Sequence, residues 1–209
     1  MDSNVLLGFC FAGMDHWGSA AIVVMDTSDT KYTGRCVWEE CFGIDGTTGK
    51  ASTILRKLRR QVRILCTCLN QDNSEVNLDK VKLIAELVTE VIEQGKTKEE
   101  MIDWARKLQH NVEACYNQSK AKLNELLITH TRKEGYGDIY ARLSTEIPNS
   151  GIQLDKDDLE IILDAHDLTS SVDALILVTG DKEHIVDAAR IICDITGICD
   201  VRYLAYYKP

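Results

Sequence analysis

Strand-length apolar runs alternate with helical repeats towards both ends of this 209-residue chain, predicting an α/β fold: a three-layer parallel sheet flanked by helices, with an inserted α-helical arm. Three observations carry the prediction. Residues 174–179 (Ala-Leu-Ile-Leu-Val-Thr) are too short for an independent helix and rich in β-formers, so they read as a strand buried on both faces; Gly180 ends it, and residues 185–192 then repeat at helical spacing. Residues 47–135 keep a helical period throughout. Charge is segregated: residues 46–149 carry 17 basic and 14 acidic side chains, the rest of the chain 7 and 19. Together these divide the chain into a sheet-forming first part (1–45), a helical insertion (46–149) and a second sheet-forming part (150–209).

Taken in order, Asp2-Ser3-Asn4 is a helix-start composition, so the apolar run to Ala12 reads as a helix, followed by Asp15-His16-Trp17. Residues 19–25 suggest a short helix and 31–37 a strand, with Glu39 and Glu40 just beyond it. In the insertion, Ile54, Leu58, Val62, Leu65 and Leu69 make one stripe, and Val81, Ile84, Val88 and Val91 a second that Gly95 stops. Thr97-Lys-Glu-Glu100 is a capping box opening a long third stripe: Met101, Trp104, Leu108, Val112, Cys115, Leu123 and Leu127. Short loops between these helices predict antiparallel packing. The chain turns at Ile147-Pro148. Asp155 and Asp158 then fall at the cap and third residue of a helix with Leu159, Ile162 and His166 inward, and residues 201–206 read as a last strand.

Composition excludes several classes. With 44% hydrophobic and 27% charged residues the chain is neither disordered nor fibrous. No apolar run approaches a membrane span and no secretory leader is visible, which predicts a cytoplasmic protein with no membrane partner. The eight cysteines fall largely in apolar stretches and are expected to be reduced core residues; Cys66-Thr-Cys68 and Cys36…Cys41 lack the second knuckle of a zinc site. A net charge of −9 argues against coating nucleic acid by bulk electrostatics.

The acids form a pattern. Asp2 precedes a helix, Glu40 follows the predicted strand, Asp158 begins a helix and Asp181 ends a strand. In an open parallel sheet, ligands bind beyond the carboxyl ends of the strands. Four carboxylates gathered there would repel one another unless a hard divalent cation, Mg²⁺ or Mn²⁺, held them, and such a site suits phosphodiester hydrolysis. Asp157 and Asp164 are alternatives for the third acid, with Asp164 too far along the helix to share the role of Asp158. Taken alone, Gly180-Asp181 reads better as turn chemistry, with the acid favouring the helix N-terminus.

These residues also resemble a known family. Asp2-Ser-Asn-Val-Leu-Leu7 resembles the opening motif of the PIN-domain (PilT N-terminus-like) nucleases, Val37-Trp-Glu-Glu-Cys41 the second, Asp158-Leu-Glu-Ile-Ile-Leu-Asp-Ala165 the third and Leu177-Val-Thr-Gly-Asp-Lys182 the fourth, all in family order. The resemblance covers roughly residues 1–45 and 150–209. It implies a PIN-like three-layer sheet and a metal-dependent ribonuclease whose catalytic and metal-binding acids are Asp2, Glu40, Asp158 and Asp181, with Asn4 and Thr179 supporting them. The family places a strand ahead of its first acid, and here Met1 alone precedes Asp2.

The insertion supplies the complementary charge. No acid lies between Asp45 and Asp72, whereas Lys50, Arg56, Lys57, Arg59, Arg60 and Arg63 are basic. Arg56, Arg60 and Arg63 share one helix face opposite Leu58, Val62 and Leu65, so they are either a phosphate-contacting rail for RNA or a solvated face paired with neighbouring acids. Two other functions compete with the ribonuclease: a non-catalytic PIN-like module that binds RNA or protein, and a haloacid-dehalogenase-type phosphatase, whose late acidic motif residues 175–181 with Asp187 imitate. The phosphatase lacks its nucleophile, since Asn4 stands where its second acid should be. Subunit number, including a homodimer, is left open.

Overall fold

The computed structural model describes residues 1–12, 18–71 and 76–207. The predicted three-layer sheet is not formed. The chain is 67% helical, with only two short parallel strand pairs among the described residues, so the fold is mostly helical. Nine α-helices follow one another: α1 (Ser3–Cys10), α2 (Gly18–Asp26), α3 (Arg35–Phe42), α4 (Lys50–Asn70), α5 (Ala85–Glu93), α6 (Lys98–Leu126), α7 (Gly137–Asn149), α8 (Lys156–Leu168) and α9 (Ala189–Thr196) among the described residues. The strands are β1 (Lys31–Gly34), β2 (Leu127–His130), β3 (Ile176–Thr179) and β4 (Asp200–Tyr203). Among the described residues β1 pairs only with β2, Lys31 opposite Leu127, and β3 only with β4, Ile176 opposite Asp200.

Two predicted strands are cut short by helix. The segment expected to extend over 31–37 stops at Gly34, because Val37, Cys41 and Phe42 fall on one face of α3 and are buried there. Glu40 therefore sits on a helix, not beyond a strand end. The last strand gives way to a 3₁₀ turn at Leu204–Tyr206. Conversely, the long stripe of the third inserted helix ends in strand: Leu127 leaves α6 and enters β2, which joins β1.

Local signals elsewhere produced the expected elements. α1 is apolar on nearly every side and is buried throughout except Asn4. Its start is held by Asp2, whose Oδ1 accepts from the Asn4 and Val5 amides at 2.7 and 3.3 Å. The capping boxes Thr97/Glu100 and Asp155/Asp158 both form. On α4, Leu58, Val62, Leu65 and Leu69 are buried, packed against α6 through Met101, Ala105, Val112, Tyr116 and Leu123. The second stripe is kinked: residues 78–84 form a 3₁₀ segment before α5, yet Val81, Ile84, Val88 and Val91 all reach the core. Asp15, His16 and Trp17 lie outside the described residues.

None of the eight cysteines is in a disulfide, but not all are core: Cys10 and Cys41 are buried and Cys115 and Cys199 exposed. Burial pushes the Cys10 thiol up to about 12, so it stays protonated and unreactive. Among the described residues no helix is long and apolar enough to cross a membrane.

Candidate metal centre

Near the carboxyl end of β3 two of the four sequence-predicted acids, Asp158 and Asp181, meet. β3 ends at Thr179, and Gly180 follows; a Cβ at Gly180 would lie 2.7 Å from the Asn4 Cβ, so only glycine lets this turn press against the start of α1. Asp181 then caps the single π-turn Lys182–Val186, its Oδ1 accepting from the His184 amide at 3.1 Å. Its Oδ2 receives the His184 Nδ1 at 2.9 Å. Asp158, third residue of α8, completes the group. One ligand atom from each of Asp158, Asp181 and His184 lies within 4.8 Å of the others.

Electrostatics mark Asp158 and His184. Burial, followed by the nearby charges of Asp155 and Asp181, lifts the Asp158 carboxyl to about 6, against the Asp155 amide and His184, which lower it. The hydrogen bond to Asp181, then the charges of Asp181 and Asp158, hold the His184 imidazolium above its ordinary range. A cation must displace both protons, so Mn²⁺ affinity rises with pH through about 6 and beyond 6.5. From pH 5.5 to 7.5 the association constant should increase at least about tenfold in isothermal titration. A flat profile would remove Asp158 and His184 from the ligand set.

Asp2 is present but occupied. Its Oδ2 accepts from the Thr179 hydroxyl and, at 3.2 Å, from the Gly180 amide, while Oδ1 takes the two α1 amides. All four lone-pair sites of this buried carboxylate are thereby used, and to ligate a cation it would have to exchange a donor. The Thr179 hydroxyl also accepts from the Asp181 amide at 2.9 Å, so Asp2 acts on the cluster by fixing the backbone that carries Asp181. Glu40 is not in the cluster. It is ion-paired with Lys50 at the start of α4, and Lys50 also feels the charge of Asp157.

Asp164 is spoken for as well. Buried beside Gly34, it accepts from the Cys36 thiol at 3.0 Å and faces Arg132 at 3.4 Å. A neighbouring buried acid, Asp167, is likewise tied up, by His130 at 2.7 Å and the Tyr136 hydroxyl at 2.5 Å. His184 was not assigned a role from the sequence. Its signal was there: a histidine three residues after a capping aspartate returns to that aspartate across one turn.

The predicted basic face is solvent-exposed. Arg56, Arg60 and Arg63 project from α4 opposite its buried stripe, and none of the three forms an ion pair among the described residues, whereas Arg59 pairs with Glu113 at 3.4 Å. A bowl of about 750 Å³ lies between α3 and α4, lined by Glu40, Lys50, Thr53 and Lys57 among others. Compared with family models, curated proteins and solved structures, the chain matches none.

Proposed function

We propose that the chain is a divalent-metal-dependent ribonuclease, with Asp158, Asp181 and His184 as the residues that would hold the ion. The observation that carries this is the convergence of two carboxylates and an imidazole at the carboxyl end of β3. Two oxygens and one nitrogen suit Mn²⁺ better than Mg²⁺, which favours an all-oxygen shell. His184 Nδ1 stands 2.9 Å from Asp181 Oδ2, so an ion held by both would take the place of the proton they share, with Nδ1 as the nitrogen ligand. Bound there, Mn²⁺ would supply an activated water and offset phosphate charge.

The protein's own contribution is position and charge. Asp2 and Thr179 fix the turn that presents Asp181; the Asp155/Asp158 capping box fixes the start of α8. An acidic centre repels a phosphodiester backbone, so the substrate also needs cations. Lys50 stands within electrostatic reach of Asp157, next to Asp158, and opens α4, the helix that carries the exposed arginines. Basic charge thus begins beside the acids and continues along α4. The choice of RNA over DNA comes from the motif resemblance, and matched oligonucleotides test it.

The test is cleavage of a labelled single-stranded RNA, with the DNA of the same sequence alongside, at 1 mM Mn²⁺ and with chelator. Cleavage that needs Mn²⁺ and is restricted to RNA is the expected result; no cleavage at any metal concentration would leave only a binding module. In the same assay, replacing Arg56, Arg60 and Arg63 together by Gln should weaken RNA binding about tenfold or more near 100 mM salt and flatten its salt dependence. Stability should barely change, since these side chains are exposed. An unaltered salt slope would make the arginine face a solvated surface.

A further inference from the structure

The bowl between the end of α3 and the start of α4, about 750 Å³, falls within the roughly 300–1,000 Å³ of small-molecule sites. Its floor depends on Gly49: a Cβ there would lie 2.3 Å from the Cys41 carbonyl, so only glycine brings the two helices this close. Its rim is the loop 43–49, which is held at several points. The Gly46 amide donates to the Gly43 carbonyl at 3.0 Å, the Thr47 amide and Thr48 hydroxyl donate to Asp45 at 2.8 and 3.1 Å, and Lys120 Nζ donates to the Gly46 carbonyl at 2.5 Å. On this anchored loop Ile44 is 85% exposed.

The walls differ in chemistry. α4 contributes Lys50, Ile54 and Lys57, which share one face, the lysines two turns or ~10 Å apart along the axis. α3 contributes carboxylates. Glu40 is ion-paired with Lys50, whereas Glu39 accepts from Arg35 Nε through Oε1 at 2.7 Å and keeps Oε2 without a partner among the described residues. Lys57 forms no ion pair among the described residues. Two cations facing two acids leave the bowl with no net charge, so a bare anion gains little there. A ligand gains more if it combines anionic groups, a flat apolar surface and hydrogen-bond donors. A nucleotide within a strand does so: its base packs on Ile44 and Ile54, and the phosphates on either side of it reach Lys50 and Lys57. Glu39 Oε2 then faces the base edge. A carboxylate accepts and does not donate, so it favours guanine, whose Watson–Crick edge presents two adjacent donors, over uracil, whose single N–H lies between two carbonyls.

The geometry points to the bowl as a subsite for one guanine nucleotide of a single-stranded RNA, next to the phosphate that is cut. Lys50, on the bowl's wall, feels the charge of Asp157, which precedes Asp158, so the bowl and the acid cluster adjoin. Occupation of the bowl itself needs no metal; that the nucleotide belongs to a cleaved RNA rests on the proposed function.

The probes are guanosine 3′,5′-bisphosphate, uridine 3′,5′-bisphosphate and inorganic phosphate, titrated with chelator present into the ¹⁵N-labelled chain. We expect the guanosine compound to shift the Ile44, Thr53 and Lys57 amides and to bind at least about fivefold more tightly than the uridine compound, with phosphate weakest. Lys57→Gln should weaken both bisphosphates at least about fivefold, and Ile44→Ser should weaken them without changing phosphate; both side chains are exposed, so the fold survives either change. Equal affinity for all three probes would make the bowl a charged surface only, and shifts confined to the Arg56, Arg60 and Arg63 amides would move binding to the outer face of α4; either result overturns the inference. The two readings fail separately. Guanosine bisphosphate held in the bowl with no RNA cleavage in Mn²⁺ would leave a nucleotide site and remove the ribonuclease, whereas cleavage in Mn²⁺ with no preference for guanosine at the cut and no shifts in the bowl would remove the subsite alone.

Discussion

Replacing Asp181 by Asn is expected to lower RNA cleavage at least about 100-fold and Mn²⁺ affinity by a comparable factor, while RNA binding and folding survive. The size follows from the role assigned to it: losing even an outer partner of a metal ligand typically costs 10–100-fold, and Asp181 is placed as a ligand itself. Asn preserves the shape and one acceptor oxygen, so the cap on the His184 amide at 3.1 Å is retained and the turn need not move. What is lost is the negative charge, which serves both the cation and the His184 imidazole at 2.9 Å. His184→Ala should reduce Mn²⁺ affinity while leaving that carboxylate in place, and the two losses should not add, because both remove parts of one ligand set. Calorimetry with Mn²⁺, gel-shift on uncleaved RNA and single-turnover cleavage measure the three properties separately. Undiminished cleavage by Asp181→Asn would place the chemistry elsewhere.

Of the candidate site, the local settings of Asp158 and Asp181 were more legible in the sequence than the fold. Asp-Lys-Asp-Asp ahead of an apolar run can hardly be anything but a helix start, and both Asp155 and Asp158 fall at their expected cap positions. Asp2-Ser-Asn before an apolar octet is equally local, as is the stop after residues 174–179. The sheet was not legible because its formation is not local. Lys31 pairs with Leu127, 96 positions further along the sequence, and Leu127 continues the helical phase of the stripe that ends at Leu123. Periodicity assigns it to α6, and only the edge of β1 draws it into strand. Likewise, four residues of strand followed at once by α3 look from sequence like one seven-residue strand, since Val37 suits either period. That misplacement put Glu40 at a strand end, when it lies on the face of α3 that meets Lys50. His184 escaped for the opposite reason: its partner is three residues away, but it stands in a turn that would need no histidine for folding alone.

Asp2→Ala should be the most destabilising of the substitutions discussed, by about 3–5 kcal/mol out of the roughly 5–15 that a domain possesses. The side chain is 2% exposed and accepts from four donors: the Asn4 and Val5 amides, the Thr179 hydroxyl and the Gly180 amide. Alanine forfeits the α1 cap, worth about 1 kcal/mol, and leaves the other donors facing a small apolar void at about 1–3 kcal/mol each where water cannot reach. Asp2→Asn should cost less, because an amide oxygen still caps α1 and only the side towards Thr179 and Gly180 is mismatched. Burial holds the Asp2 carboxyl above its usual value despite these hydrogen bonds. Its raised folded value means that its contribution is most favourable below the unfolded value near 3.8 and declines as pH rises towards the folded one. Neutral Asn should therefore narrow its deficit against the parent as pH rises from 4 to 7, which urea denaturation at several pH values would show. Metal separates the structural role from a ligand role. If Asp2 only braces the turn, the stability difference between parent and Asp2→Asn is the same with chelator and with 1 mM Mn²⁺, because both bind the ion through Asp158, Asp181 and His184. A difference that grows by more than about 1.4 kcal/mol on adding Mn²⁺, a tenfold loss of affinity, would make Asp2 a ligand and require it to give up one of its four donors.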